Sequence, residues 1–173
     1  MTNAVRTTLI AAALALLSAA ALIALAQPVR AAGSAEVRFV EPQNFRDAGR
    51  SALERERALA SLGAHLEQLA QRLPDGQRLR IEVLDVDLAG EQIPRRGYDV
   101  RVLRGGADWP QLHLRWALVQ GERTLKSGEE RLADLGYMQG RPGLNGSEGD
   151  LPHEKRMLTT WFRGEFEGGR ASH

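Results

Sequence analysis

Between Ser51 and Leu73, five of the six leucines fall at positions 59, 62, 66, 69 and 73, a 3-4-3-4 spacing that places those five on one stripe of an α-helix. A helix apolar along a single stripe is stable in water only once that stripe is covered, so the rest of the chain must supply a second layer. The limits of the helix are written locally. Ser51 followed by Glu54 matches a capping box, in which the hydroxyl accepts an orphan N–H and the carboxylate returns the bond, and Pro74, Asp75 and Gly76 close the far end with turn chemistry. The stripe is short enough that packing on a sheet explains it better than a coiled-coil dimer does.

The second layer is legible as strands. Val37 and Phe39 share one face of a strand over 36–40, which Pro42 closes. Over 78–88, Leu79, Ile81 and Val83 alternate with Arg78, Arg80 and Glu82, and then the phase slips so that Leu84, Val86 and Leu88 carry the apolar side. A bulge near Val83 and Leu84, or a strand buried on both faces before that point, reconciles the two sets, and either way Asp85 and Asp87 point together. Ala89 and Gly90 end this strand, 94–97 reads as a turn, 98–103 as a third strand and 105–108 as another turn. Leu112, Leu114, Trp116 and Leu118 form the buried row of a fourth strand, with Gln111, His113 and Arg115 facing outward. Gln120 and Gly121 turn the chain into a fifth strand over 123–130, 132–138 reads as a helical turn or an irregular crossing, and 139–150 as a flexible glycine-rich loop. Pro152 opens a second helix with Met157, Leu158, Trp161 and Phe162 on one side.

This order predicts an α+β fold: a two-layer domain in which two helices cover one face of an antiparallel sheet of four to five strands, with its core over 36–166. The open face would carry Arg78, Arg80, Asp85, Asp87, His113 and Arg115, with Trp109 at its edge.

Residues 1–31 read as an export signal: Arg6 in a short n-region, an apolar run from about Leu9 to Ala26, and an exit that places Val29 and Ala31 at the positions before a cut. Cleavage after Ala26 is a second choice. An uncleaved inner-membrane anchor is the alternative, because Thr7–Ala26 holds no charge, although no cluster of Lys or Arg follows it. The expected organisation is a signal peptide over 1–31 and one α+β domain over 32–173, periplasmic and with no membrane contact after cleavage. Without Arg6 and Arg30 the domain carries 21 basic and 22 acidic residues, which argues against nucleic-acid binding through a basic field. The absence of cysteine removes disulfides, thiolate metal sites, a cysteine nucleophile and a lipid-modified N-terminal cysteine.

Chemistry-bearing candidates are few. Asp85 and Asp87 open Asp-Val-Asp-Leu-Ala-Gly like a calcium loop, but Ala89 and Arg96 stand where two further oxygen ligands belong, and a solvated face paired with arginines of a neighbouring strand explains them more simply. His113 lies on the outward row beside Arg115, and the sequence holds no His-x-x-x-His pair, Gly-x-Ser-x-Gly elbow or phosphate loop. Trp109, between Asp108 and Pro110, presents a large amphipathic ring at a strand entrance, where it serves either as a binding anchor or as a lid on the end of the core.

Taken together, Val-Arg-Phe-Val-Glu-Pro-x-x-Phe-Arg-Asp at 37–47, Val-Leu-Asp-Val-Asp-Leu-Ala-Gly at 83–90, Asp-Val-Arg-Val at 99–102, Asp-Trp-Pro at 108–110 and Glu-Lys-x-Met-Leu-x-x-Trp at 154–161 resemble the domain of unknown function 3016 family. The resemblance implies an exported bacterial protein and carries over no catalytic residue. Such proteins commonly continue Asp-Trp-Pro with Arg, where this chain has Gln111, which weakens a cation beside Trp109 as an anion grip. The expected function is a non-enzymatic periplasmic binding or accessory module with no cofactor, using Trp109, Asp85, Asp87, His113 and Arg115 to hold an envelope protein or glycan. The alternative is a metal-binding protein or metal-dependent hydrolase built on Asp85, Asp87 and His113.

Overall fold

The computed structural model describes residues 32–96, 98–139 and 150–168; the expected signal peptide, most of the glycine-rich loop and the last five residues lie outside them. Four leucines of the stripe lie on α1 (Ala52–Ala70), and Leu73 follows in the turn after it. Its capping box is complete: the Ser51 hydroxyl accepts the Glu54 N–H, and the Glu54 carboxylate accepts the Ser51 N–H, both at 3.1 Å. Leu59, Leu62, Leu66, Leu69 and Leu73 are all buried.

Six strands accompany it: β1 (Ser34–Phe39), β2 (Gln77–Asp87), β3 (Glu91–Arg95), β4 (Tyr98–Val102), β5 (Gln111–Gln120) and β6 (Arg123–Ala133). β1, β2, β5 and β6 form one four-stranded sheet in the order β1-β2-β5-β6. The sheet is mixed and not antiparallel as expected, because β1 runs parallel to β2, with Val37 beside Ile81. The cause is α1, which lies between the two strands in sequence and carries the chain back to the end of the sheet from which β1 started. The second correction concerns 91–102. Pro94, expected in a turn, lies within β3, and β3 pairs with β4 in a separate two-stranded sheet. A ribbon of two strands leaves one side of each strand free, so the missing Pro94 N–H costs no ladder bond.

The phase slip in β2 is a bulge. Val83 pairs with Leu114 and Asp85 with His113, so Leu84 is the extra residue. Before it Leu79, Ile81 and Val83 face inward, and after it Val86 and Leu88 do. The predicted row of β5 is likewise buried, and Trp116 lies opposite Gly128 of β6. A Cβ at Gly128 would come within 3.1 Å of the indole. The space left by that missing side chain lets the ring lie over β6, where its Nε1 donates to Glu130 at 3.0 Å and Lys126 Nζ stands 5.5 Å from the ring centre.

Helix α2 (Pro152–Phe162) runs on into a π-helical turn at Arg163–Glu167. Met157, Leu158, Trp161 and Phe162 join the leucines of α1 and the inward rows of β2 and β5 in one core, and Phe166 packs edge-on to Trp116 and Trp161. Among the described residues these side chains form one core, and residues 32–173 form one compact unit.

Leu66→Ala removes a fully buried stripe residue and is expected to cost about 2–5 kcal/mol in urea unfolding, whereas Leu53→Ala, on the exposed side of the same helix, changes stability by less than about 0.5 kcal/mol. Equal effects would show that the stripe does not carry the layer contact.

Candidate functional site

Past the bulge, β2 ends in Asp85-Val86-Asp87-Leu88-Ala89-Gly90, and four other segments converge on this end. The loop after β1 docks first: Asp47 N donates to Val86 O at 3.0 Å and Leu88 N donates to Asp47 O at 2.9 Å, a parallel bridge that extends the β1–β2 pairing. This places Arg46 over the outward face, where its Nε donates to Asp85 at 2.6 Å and its Nη1 lies 3.4 Å from Asp87. The Asp47 carboxylate accepts from Arg101 of β4 at 2.9 and 3.2 Å, and Arg101 also donates to the Ala89 and Gly90 carbonyls. The Asp108 carbonyl accepts the Gly90 N–H at 2.8 Å. Beneath, Glu154 in the first turn of α2, only 2% exposed, accepts the Ala89 N–H at 2.7 Å.

Three aspartates thus share two arginines, and the shortfall falls on one of them. Burial pushes the Asp85 carboxyl up, but the Arg46 backbone N–H and guanidinium outweigh it and hold it below its ordinary value. Asp87 is raised, by burial first and then by the charges of Asp47 and Asp85, which its longer contact with Arg46 does not offset.

Beside Asp87 lies an open cleft of about 560 Å³, walled by Gln43, Phe45, Arg46, Arg55, Asp87 and Gln92 among others. The Gln92 amide donates to Glu54 at 3.2 Å, while its buried carbonyl oxygen has no partner. Gly90 is required at this corner: its φ is +79°, and a Cβ would meet the Val102 carbonyl at 2.6 Å.

The structure divides the expected site residues into three groups. Asp85 and Asp87 meet on Arg46, an arginine of the loop after β1 and not of a neighbouring strand as expected. His113 and Arg115 meet on Glu129 of β6, at 2.9 and 3.0 Å, within an ion-pair row that continues through Glu82 to Arg38 across the open face. Trp109 belongs to neither group and is half-buried before β5. His113 is the register partner of Asp85, yet each side chain is engaged elsewhere, and among the described residues no three His, Asp or Glu side chains are grouped to hold a metal ion. The row lines a second depression of about 450 Å³ over Ala117 and Ser127, and a third of about 410 Å³ lies between β6 and α2 beside Trp161.

Sequence reasoning on chemistry alone passes over Arg46, Asp47, Arg101 and Glu154, since none lies in a recognisable motif. The signal that could have found them is the set of separated segments, Phe-Arg-Asp, Asp-Val-Asp-Leu-Ala-Gly, Asp-Val-Arg-Val and Glu-Lys, which contact one another at this strand end. The family model described as "Protein of unknown function (DUF3016)" matches residues 33–164. No curated protein and no solved structure matches the chain.

Asp85→Asn is expected to destabilise the fold by about 1–2 kcal/mol at neutral pH, since it removes a charge-assisted bond to Arg46. Asp87→Asn should leave stability unchanged or raise it. The sign follows from the two shifts: a lowered carboxyl stabilises above its unfolded pKa and loses that contribution as pH falls through its folded one, whereas a raised carboxyl destabilises while ionised. Urea midpoints of the two variants should therefore differ at neutral pH and converge in acid; a midpoint for Asp87→Asn as low as that for Asp85→Asn would contradict the charge assignment.

Proposed function

The chain belongs to the DUF3016 family, and we propose that it is an exported, non-enzymatic binding module of the bacterial envelope, which holds an envelope protein or glycan in the cleft beside Asp87. The observation that carries this reading is the composition of the cleft wall. Among the described residues it contains no Ser, Thr, Cys, His, Lys or Tyr, so none of these side chains supplies a nucleophile there. Two of its carboxylates, Asp47 and Asp87, are paired with the guanidinium groups of Arg101 and Arg46. What the wall offers is recognition: the Phe45 ring, the Gln43 amide and the guanidinium groups of Arg46 and Arg55. The leader-like segment over 1–31 supports export, and none of the described helices is long and apolar enough to cross a membrane.

A photo-activatable residue at Gln43, on the exposed rim of the cleft, tests the site in whole cells expressing the full chain. One discrete adduct is expected from Gln43, reduced by Arg55→Glu, and none from the same probe at Ser127 on the open sheet face. An adduct from Ser127 alone, or an envelope hydrolase activity abolished by Asp87→Asn, would overturn the reading.

A further inference from the structure

Among the described residues, Leu53, Leu103, Leu125, Leu135 and Met138 are the large apolar side chains left exposed. Three of them stand on two loops that meet beside Trp109. One loop, 103–110, joins β4 to β5; the other, 134–139, follows β6. Leu135 is 68% exposed, Met138 51% and Leu103 38%.

These loops are braced. Asp108 accepts the backbone N–H groups of Arg104 and Gly106 at 2.7 and 3.1 Å. The Tyr137 hydroxyl donates to Asp108 at 2.8 Å and accepts the Gly105 N–H at 3.1 Å. Asp134 N donates to the Pro110 carbonyl, and Arg156 of α2 donates to the Asp134 carboxylate and the Tyr137 carbonyl, both at 2.7 Å. Tyr137 itself is 1% exposed, its ring edge-on to His153 at 5.0 Å. Met138 lies against Gly105, where a Cβ would approach its Cγ to 3.3 Å. Apolar side chains presented from a braced platform lose little further entropy when something covers them, and they contribute nothing to the core in the meantime.

The size of this display selects its occupant. None of the three clefts described above takes a wall from Leu103, Trp109, Leu135 or Met138. A stable protein partner needs roughly 800 Å² on each side, and four side chains, one of them half-buried, offer at most a few hundred. A bilayer interface is fluid, fits around separate side chains, needs no such area, and is where a tryptophan ring with one polar edge is best solvated. The carboxylates of Asp108 and Asp134 are occupied by the donors that brace the loops, and Arg104, beside Leu103, pairs with Glu91 at 2.9 Å, so little free charge opposes contact with lipid.

We propose that loops 103–110 and 134–139 are a bilayer-docking surface, with Leu103, Trp109, Leu135 and Met138 entering the interfacial layer of a membrane. This runs against the expectation of a domain without membrane contact after leader removal, and it does not depend on the cleft reading. Residues 32–173 form one compact unit, so the domain is tested without the apolar leader, which would bind lipid by itself. The probe is vesicles of three parts phosphatidylethanolamine to one part phosphatidylglycerol. Trp116 and Trp161 are 3% and 7% exposed, so changes in tryptophan emission report Trp109. Vesicles should shift the emission to the blue, acyl-brominated lipid should quench it, and co-sedimentation should persist at high salt because the contact is apolar. Leu135→Glu combined with Met138→Glu should lower the partition coefficient about tenfold or more while leaving the urea midpoint unchanged, both side chains being more than half exposed. Trp109→Phe should still co-sediment but lose the quenching. Failure of the unaltered domain to co-sediment, or undiminished partition of the double variant, would overturn the proposal.

Discussion

Asp47 joins the end of β2 through two backbone hydrogen bonds, and its carboxylate reaches across to Arg101 of the β3–β4 ribbon. Each contact has a consequence elsewhere. The backbone pair continues the parallel ladder beyond the last residue of β1 and past the bulge, which brings Arg46 over Asp85 and Asp87. The carboxylate fixes a ribbon of two strands that has no core of its own and would be marginal if free in water. With the ribbon in place, Gly90 and Gln92 close one side of the cleft. A single short loop thus connects sheet, ribbon and site.

Magnitude and geometry come from different sources. Burial of the α1 stripe, the inward rows of β2 and β5 and the aromatic cluster of Trp116, Trp161, Phe162 and Phe166 supplies the main driving force, because apolar area removed from water outweighs the net yield of polar contacts. The row from Arg38 through Glu82, Arg115 and Glu129 lies on the open face, where water screens it and each pair contributes little. At the end of β2 the groups are less exposed, so charge balance matters: two guanidinium groups against three carboxylates leave Asp87 carrying the deficit.

The features legible in the chain were those whose cause is local. The leucine stripe, the Ser51–Glu54 box and the buried row of β5 each follow from spacing within one segment, although the helix stops before Leu73, and the phase slip in β2 resolves as the bulge, one of the two readings that the spacing allowed. The direction of β1 was not legible, since alternation of Val37 and Phe39 is the same in a parallel and an antiparallel strand. Pro94 misled for a related reason: proline argues against a strand only where its missing N–H would be needed, and that depends on what lies alongside. Asp85 and Asp87 were visible as a pair, while their partner Arg46 was hidden in a loop, 39 positions from Asp85.

By itself, then, the sequence determined both helices and every strand but β3, that two layers must close on one core, and which family the chain belongs to. Tertiary structure alone decided that the sheet is mixed, that residues 91–102 leave it as a ribbon, that Asp85 and Asp87 answer to Arg46 while His113 and Arg115 answer to Glu129, and that the two loops carrying the exposed Leu103, Leu135 and Met138 are joined. The physical reason is range. Periodicity and capping act through neighbours along the chain, whereas strand direction, charge pairing and the gathering of apolar tips depend on which distant segments the closing of the core happens to bring together.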